Sequence, residues 1–373
     1  MIKLMADSTC DLSDEILEKY DISLAPLSIL IEGKTYKDRL DISPDEFYSI
    51  IDELDENPTT SMPSPPEYVK IFEEAIEKGY DEILCISMSS GTSGSYQSAE
   101  LAKDYFFESN PDSKVRIYIV DSKCMSHGSG WLLLKTARLR EKGSTFEELI
   151  DFAEMFKTNV KHYLAVNDLD NLIKSGRLSN ASAMIGKLLK INPIMSMKNG
   201  KGAIVAKERG RKKVLKHYVD NLITRINLEI SDFLIIGYTS DKLIAENLKN
   251  KILKEADYSG EIFIMQMGVS VGTHVGLGGI SLYFVEKSNK KDGLLINEIH
   301  SLVEKKNDLL KIKDDLFEKN SEKFEDMKEE LTEIKKEILE KKNEFFKKKD
   351  GVFEEKKQDF IEKRNEFFEK LKK

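Results

Sequence analysis

The sequence has few cysteines and no long apolar stretch. Cys10, Cys85 and Cys124 are far apart, odd in number and without the spacing of metal ligands. This pattern argues against a disulfide framework or a zinc site and predicts small buried residues in a reducing compartment. No run reaches the roughly 18 apolar residues of a bilayer-spanning helix, and Asp7 stands where a signal peptide needs apolar residues. We expect a cytoplasmic protein, with peripheral membrane contact as an alternative.

An excess of basic residues is also lacking. Residues 301–373 hold 21 Lys/Arg and 21 Asp/Glu, so the formal charge of −8 comes from 37 basic and 45 acidic residues in 1–300. An acidic body without a sustained basic stripe does not have the electrostatic footprint of a nucleic-acid-binding protein. At 373 residues the chain is too long for one compact core. We expect two globular domains, a densely charged extension and no nucleic-acid partner.

Short apolar runs alternate with helix signatures over the first 160 residues, which predicts a parallel sheet covered by helices. The predicted strands are residues 3–6, 83–87 and 115–120. Serine followed by proline and glutamate predicts helix starts at Ser43 and Ser64, and the second of these helices should end near Lys78 and Gly79. Residues 144–147 repeat the capping pattern, with Ser144 as the predicted cap.

From about residue 160 the pattern is that of a mixed sheet. The predicted strands are residues 163–166, 233–238, 262–265 and 280–285, with a hairpin that pairs 193–197 with 203–206 around Asn199 and Gly200. We predict an α/β fold with an N-terminal parallel-sheet domain (1–158), a C-terminal mixed-sheet domain (159–288) and long helices in a C-terminal extension (289–373).

The extension repeats itself. The motif E-K-K-N-E-F-F at 340–346 returns as E-K-R-N-E-F-F at 362–368, a shift of 22 residues. This shift equals six turns at about 3.67 residues per turn, so a continuous helix keeps the repeated residues on one face. The pattern predicts amphipathic, coiled-coil-like helices. For residues 294–373, packing of the apolar stripe on itself or on another chain, contact with a lipid surface and disorder all remain open.

Three polar segments indicate a ligand site at the carboxyl edge of the predicted parallel sheet. Residues 87–98 form a Gly/Ser-rich turn between a strand and a helix, where amides, hydroxyls and the helix dipole favour an anion. Residues 59–66 supply four hydroxyls, although helix capping needs only one. Residues 268–279 are glycine-rich and hold His274. Each segment alone is also compatible with a plain structural connection.

The order of several motifs along residues 1–285 is more specific than any one of them. They are D-S-T-C-D-L at 7–12, T-S-M-P-S at 60–64, S-S-G-T-S-G-S-Y-Q-S-A at 89–99, V-D-S at 120–122, K-S-G-R-L-S at 174–179, R-G-R-K-K at 209–213 and G-T-H-V-G-L-G at 272–278. Together these segments resemble the DegV family, whose members bind fatty acids. The resemblance does not extend to the C-terminal extension.

The resemblance implies a two-domain α/β fold with an acyl chain buried in a tunnel and its carboxylate at the mouth. It implies a carrier without catalysis or a cofactor of its own. Such a carrier presents a long-chain fatty acid to a separate ATP-using fatty acid kinase subunit, which forms acyl phosphate for phospholipid synthesis. The family's carboxylate-binding positions fall on Thr60, Ser61, Ser93, Gly94 and His274. The positions that face the kinase subunit fall on Arg177 and Arg209.

The chain departs from the usual family pattern within these motifs. Met62, Thr92, Ser95 and Leu277 stand where glutamine, leucine, threonine and proline are usual. Met62 and Thr92 alter the surroundings of the hydroxyl groups, and the loss of proline at 277 loosens the segment that holds His274.

Two other functions are compatible with the sequence. In a serine-dependent hydrolase or acyltransferase, Ser93 is the nucleophile, His274 its base and Asp7 the orienting carboxylate. The Gly-x-Ser-x-Gly elbow is absent, however, because Ser95 occupies the place of the last glycine. If the protein is instead an interaction scaffold, it binds its partners mainly through the helical extension. Covalent labelling of Ser93 by a fluorophosphonate favours the first alternative.

Overall fold

The structure is a computed structural model that describes residues 1–178, 191–287, 298, 301–303, 305–309 and 329–344. The chain separates into compact units at residues 1–287 and 288–373. The first unit has an α/β fold that combines a parallel sheet with a mixed sheet, which confirms the predicted fold class. The predicted division after residue 158 remains a prediction.

The strands and helices of the first unit alternate along most of the chain. In chain order the strands are β1 (Ile2–Asp7), β2 (Ile22–Ala25), β3 (Ser28–Ile31), β4 (Lys34–Lys37), β5 (Thr59–Ser61), β6 (Glu82–Ser87), β7 (Arg116–Asp121), β8 (Val160–Ala165), β9 (Asn192–Lys198), β10 (Lys201–Glu208), β11 (Phe233–Tyr238), β12 (Glu261–Gln266) and β13 (Ile280–Val285). The α-helices are α1 (Asp14–Lys19), α2 (Pro44–Ile50), α3 (Pro65–Glu77), α4 (Ser95–Ser109), α5 (His127–Glu141), α6 (Phe146–Phe156), α7 (Asp170–Lys174), α8 (Arg211–Arg225), α9 (Lys242–Glu255) and α10 (Val269–Val275).

The parallel sheet has the strand order β2-β1-β6-β7. Its strands at residues 3–6, 83–87 and 115–120 are confirmed with small shifts at their ends. Met5 and Cys85 pack beneath α3 and α4, where Phe72 and Phe106 complete a buried cluster. Helices α5 and α6 contact the sheet as well. The near-continuous apolar runs of β1 and β6 reflect burial on both faces.

The mixed sheet has the order β10-β9-β8-β13-β11-β12. The predicted hairpin is confirmed as β9 and β10, with φ of 52° at Asn199 and 75° at Gly200. One face packs on α8 and α9 and buries a core that includes Ile194, Leu282 and Phe284. Because side chains alternate along a strand, the next residues of β8, β9 and β13 point to the opposite face.

A small antiparallel sheet, β4-β3-β5, was not predicted from the sequence. Its strands are three or four residues long. The hydroxyl-rich stretch at residues 59–61 is β5, and Thr60 pairs with Ile29 of β3. This pairing gives the stretch the alternating side-chain directions of a strand.

Two helix starts agree with the capping predictions and one does not. Ser43 and Ser64 precede α2 and α3, and α3 ends at Glu77 before Gly79 with φ of 84°. The predicted cap at Ser144 is wrong, because Thr145 accepts a hydrogen bond from the Glu148 amide and α6 begins one residue later. The amide of Ser144 instead donates to the Leu139 carbonyl and closes α5.

The described residues of the second unit are helical. Residues 329–344 form a helix with Leu331, Ile334 and Ile338 buried along one face. Glu298 pairs with Lys341 at 2.6 Å, and Lys305 pairs with Glu330 at 2.7 Å. As the residue number rises from 298 to 305, the number of its partner falls from 341 to 330, as it does between antiparallel helices. Most of the predicted 22-residue repeat, including residues 310–328 and 345–373, lies outside the described residues.

Candidate ligand-binding site

A pocket lies between the mixed sheet and the carboxyl ends of the parallel strands. Its empty space is about 820 Å³, a figure that includes the part open to solvent. Thr9, Met88 and Met125 follow β1, β6 and β7, whereas other lining residues lie on β8, β9 and β13. The crevice at the carboxyl ends of strands, where the sequence placed the site, is therefore present.

Thr60 and His274 meet at this pocket although 214 residues separate them. The Thr60 hydroxyl lies 2.9 Å from Nε2 of His274. Strand β5 carries Thr60 and helix α10 carries His274. The Tyr48 hydroxyl donates to the Met267 carbonyl at 2.9 Å just before α10. Elements far apart in sequence thus place a hydroxyl and an imidazole together.

The buried carboxyl group of Asp11 also positions α10. It accepts hydrogen bonds from the Gly268 amide at 2.9 Å and from the Ser126 hydroxyl at 2.6 Å. Burial raises the pKa of Asp11 to about 8. Asp11 therefore joins the segment after β1 to the start of α5 and to the residue that precedes α10.

The Gly/Ser-rich turn before α4 is hydrogen-bonded to the β9–β10 hairpin. The hydroxyls of Ser89 and Thr92 both donate to the Gly200 carbonyl, at 2.6 and 3.1 Å. Ser93 lines the pocket, and its hydroxyl lies 2.9 Å from that of Ser95. The hydroxyls of Ser89 and Thr92 thus hold the turn in place, and Ser93 lines the pocket.

The pocket holds neutral donors beside one cation. Burial, and then the positive charge of Arg177, lower the pKa of His274 to about 4. Burial lowers the pKa of His162, which also lines the pocket, to about 3. Arg177 is the cationic side chain among the described lining residues. At neutral pH the site therefore offers hydroxyls, neutral imidazoles and one guanidinium group.

The predicted site residues are only partly brought together. Thr60, Ser93, His274 and Arg177 line the pocket. Ser61 is exposed, because neighbours on β5 point to opposite faces. Gly94 is not among the residues that line the pocket, and a side-chain carbon there would come within 2.2 Å of the Met62 sulfur.

The remaining predicted positions lie away from the pocket or outside the described region. Arg209 is exposed just after β10. Ser179, the last residue of the K-S-G-R-L-S motif, lies outside the described residues. The resemblance assigns both arginines to the surface that faces the kinase subunit. In the structure Arg177 lines the pocket and Arg209 does not.

Sequence reasoning missed the methionines of the pocket. The methionine lining residues are Met62, Met88, Met125, Met195 and Met197. Met88 directly follows the buried strand β6, which is a signal that the sequence contains, whereas Met125 lies four residues after the end of β7. Met195 and Met197 alternate on β9, but an alternating apolar strand does not reveal what its second face contacts.

Other kinds of site find little support in the described part of the chain. Within the described part of the chain, no cluster of three or more His, Cys, Asp or Glu residues is suited to a metal ion. Cys10, Cys85 and Cys124 are free and buried, as predicted. None of the described helices combines the length and hydropathy needed to cross a membrane.

The sequence profile of the DegV family, described as uncharacterised proteins, matches residues 1–287. The chain belongs to the DegV family. A DegV domain-containing protein of Clostridium acetobutylicum is 38% identical over 289 residues, which cover 77% of this chain and 99% of the relative. The one from Caldanaerobacter subterraneus is 32% identical over 291 residues, with the same coverage of 77% and 99%.

Solved DegV structures share the fold. DegV from Bacillus subtilis, described as a fatty acid binding protein, is 29% identical with a TM-score of 0.67, and the match covers 77% of this chain and 99% of that protein. A stearic acid-binding protein from Eubacterium ventriosum has the same values of 29%, 0.67, 77% and 99%. Both solved proteins share the fold of this chain.

Proposed function

We propose that this DegV protein binds one long-chain fatty acid and presents its carboxylate to a separate ATP-using kinase subunit. The acyl chain occupies the pocket between the sheets, and Thr60, Ser93 and His274 bind the carboxylate. The observation that carries the proposal is the 2.9 Å contact of Thr60 with His274 at the wall of a largely apolar pocket. Similar DegV proteins are described as fatty-acid-binding.

Simple energetics support this division of roles. Burying about 16 carbons at roughly 0.8 kcal/mol per CH₂ yields a gross gain on the order of 10 kcal/mol, from which ordering costs are subtracted. Apolar contact therefore supplies the affinity, and the polar residues set the direction of the chain. A carboxylate held mainly by hydroxyls and a neutral imidazole remains available as an acceptor for a phosphoryl group.

The hydroxyl contacts do not favour a hydrolase. The Ser93 hydroxyl is paired with Ser95, and His274 is paired with Thr60. The carboxyl group of Asp7 accepts from Ser87 and from the Met88 amide, at 3.0 and 2.8 Å. The three groups of the alternative triad thus have other hydrogen-bond partners, which supports a carrier.

Titration of delipidated protein with stearic acid tests the binding step. We expect a Kd at or below the micromolar range for the wild type. Thr60→Val removes the hydroxyl at nearly constant volume and should weaken binding at least tenfold, since a hydrogen bond to a charged group contributes about 1.5–3 kcal/mol. Thr224→Val on α8 is the control. Failure of the wild type to bind, or unchanged affinity of Thr60→Val, contradicts the proposal.

Acyl phosphate formation tests the partner step. With an ATP-using fatty acid kinase subunit, the loaded protein should form acyl phosphate that hydroxylamine traps as a hydroxamate. Arg209 is exposed and Arg177 lines the pocket, so Arg209→Glu should slow transfer without changing the Kd for the acid. Lys254→Glu, at the exposed end of α9, serves as the control. Full transfer by Arg209→Glu would remove Arg209 from the proposed interface.

A further inference from the structure

Methionine is concentrated at the pocket. Five of the 21 lining residues are methionines, whereas the whole chain has 12 among 373 residues. At that frequency fewer than one methionine is expected in the lining. They also come from separate parts of the chain, namely the segment after β5, the ends of β6 and β7, and β9. The enrichment is therefore a property of the cavity and not of one segment.

The opposite face of the same sheet has a different composition. The core between the mixed sheet and helices α8 and α9 contains valine, leucine, isoleucine, alanine, tyrosine and phenylalanine, and no methionine among its described members. Strand β9 shows the contrast within one element, since Ile194 belongs to that core and Met195 lines the pocket. A rigid packed core and an adaptable wall therefore lie on the two faces of one sheet.

Methionine differs from the other apolar residues in flexibility. Its side chain is unbranched, has three rotatable bonds and carries a polarisable sulfur, so it adapts to irregular partners. Isoleucine and valine, in contrast, are restricted at χ1. Proteins that bind varied partners use methionine-rich surfaces for this reason.

We propose that the methionine lining allows one pocket to hold straight and cis-kinked acyl chains of equal length with similar affinity. This inference rests on the proposed fatty-acid binding and specifies its substrate class. Met195 is buried within the wall, and Met62 is 49% exposed beside Gly94. Met195, Met197, Met88 and Met125 adjust to the shape of the chain, and Met62 adjusts near the polar end.

Elaidic and oleic acids provide a direct test, because they are trans and cis isomers of one composition and differ in shape. We expect wild-type Kd values for the two acids within about threefold of each other. The double variant Met195→Ile/Met197→Ile replaces flexible residues by stiff ones of similar size, and β-branched residues suit a strand. In this variant we expect the ratio of the two Kd values to change at least tenfold, since a stiff wall favours one shape.

Met265→Ile is the matched control, because Met265 is a buried strand methionine on β12 outside the pocket. Its Kd ratio should equal that of the wild type. A tenfold or larger difference between the wild-type Kd values for the two acids overturns the inference. An unchanged Kd ratio in the folded double variant overturns it too. Neither result affects the proposal that the protein binds fatty acids. If the wild type binds neither acid, the proposed function itself fails. Discrimination by the wild type overturns the inference even if the double variant does not fold.

Discussion

His274 shows how the pocket controls the charge of a single residue. Burial and Arg177 lower its pKa to about 4, whereas a histidine in an unfolded chain titrates near 6.5. Between these values the unfolded chain binds more protons than the folded chain, so a falling pH favours unfolding. The stabilising contribution of a neutral His274 is therefore complete above about pH 6.5 and is lost as the pH falls toward 4.

This linkage predicts a measurable difference in acid stability. Between pH 7 and pH 5, the wild type should lose roughly 1–2 kcal/mol more unfolding free energy than His274→Asn, which cannot titrate in this range. Urea unfolding at several pH values measures the difference. Thr224→Val, on α8 and away from the pocket, does not change a titrating group and should lose as much as the wild type. Equal losses in wild type and His274→Asn would show that His274 is not held neutral.

At the residue scale, the sequence predicted part of the site. The hydroxyl of Thr60, the turn with Ser93 and the imidazole of His274 were expected together, and they line one pocket. Ser61 was expected beside Thr60 and is exposed, because β5 was not recognised as a strand and alternation separates neighbours. Contacts between elements, such as that of Asp11 with Gly268, are invisible to local patterns.

At the scale of elements, the junction between the Gly/Ser-rich turn and the β9–β10 hairpin is tight. A side-chain carbon at Gly91 would lie 2.5 Å from the Gly200 carbonyl oxygen, which is backbone. The nearest atoms to the same addition at Gly94 all belong to the side chain of Met62, whose sulfur would lie 2.2 Å away. Met62 is half exposed and flexible, so it can move aside, whereas the hairpin backbone cannot.

The two glycines therefore respond differently to one substitution. Gly91→Ala should lower the unfolding free energy by about 1–3 kcal/mol, the usual effect of overpacking against fixed atoms. Gly94→Ala should cost less than about 1 kcal/mol and should alter affinity for stearic acid through the displaced Met62. Urea unfolding and acid titration of both variants measure these effects. If Gly91→Ala is as stable as Gly94→Ala, the turn does not pack rigidly on the hairpin.

Long apolar elements were predictable, and short ones were not. The strands of the parallel sheet and the β9–β10 hairpin follow from apolar runs and turn residues. Strands β3, β4 and β5 are too short for a clear period, and pairing with one another defines them. Capping motifs that begin at Ser144 and at Thr145 overlap. The Ser144 amide donates a hydrogen bond to the last turn of α5, so the cap of α6 is Thr145.

At the scale of the whole molecule, the pocket depends on elements from nearly the full length of the first unit. Its lining runs from Thr9 to Tyr283, and this range lies within residues 1–287 matched by the DegV profile. A ligand in this position contacts both sheets and binds only the folded chain. Binding should therefore stabilise the first unit as a whole, by roughly 2.7 kcal/mol at a ligand concentration of 100 Kd.

The same reasoning predicts that residues 288–373 are dispensable for binding. Residues 1–287 form a compact unit, and they contain every described residue that lines the pocket. A chain ending at Lys287 should bind stearic acid with the Kd of the full chain. Its unfolding free energy should agree within the roughly 10–15% uncertainty of urea extrapolation.

Sedimentation of the truncated and full chains, with liposome flotation of both, then isolates the role of the extension. We expect self-association or lipid contact to disappear with residues 288–373 while acid binding persists, because the apolar stripe of the extension is removed and the pocket is not. A truncated chain that aggregates or no longer binds stearic acid would contradict this separation. The extension would then be part of the folded carrier, and the second unit would have to support the pocket that the first unit lines.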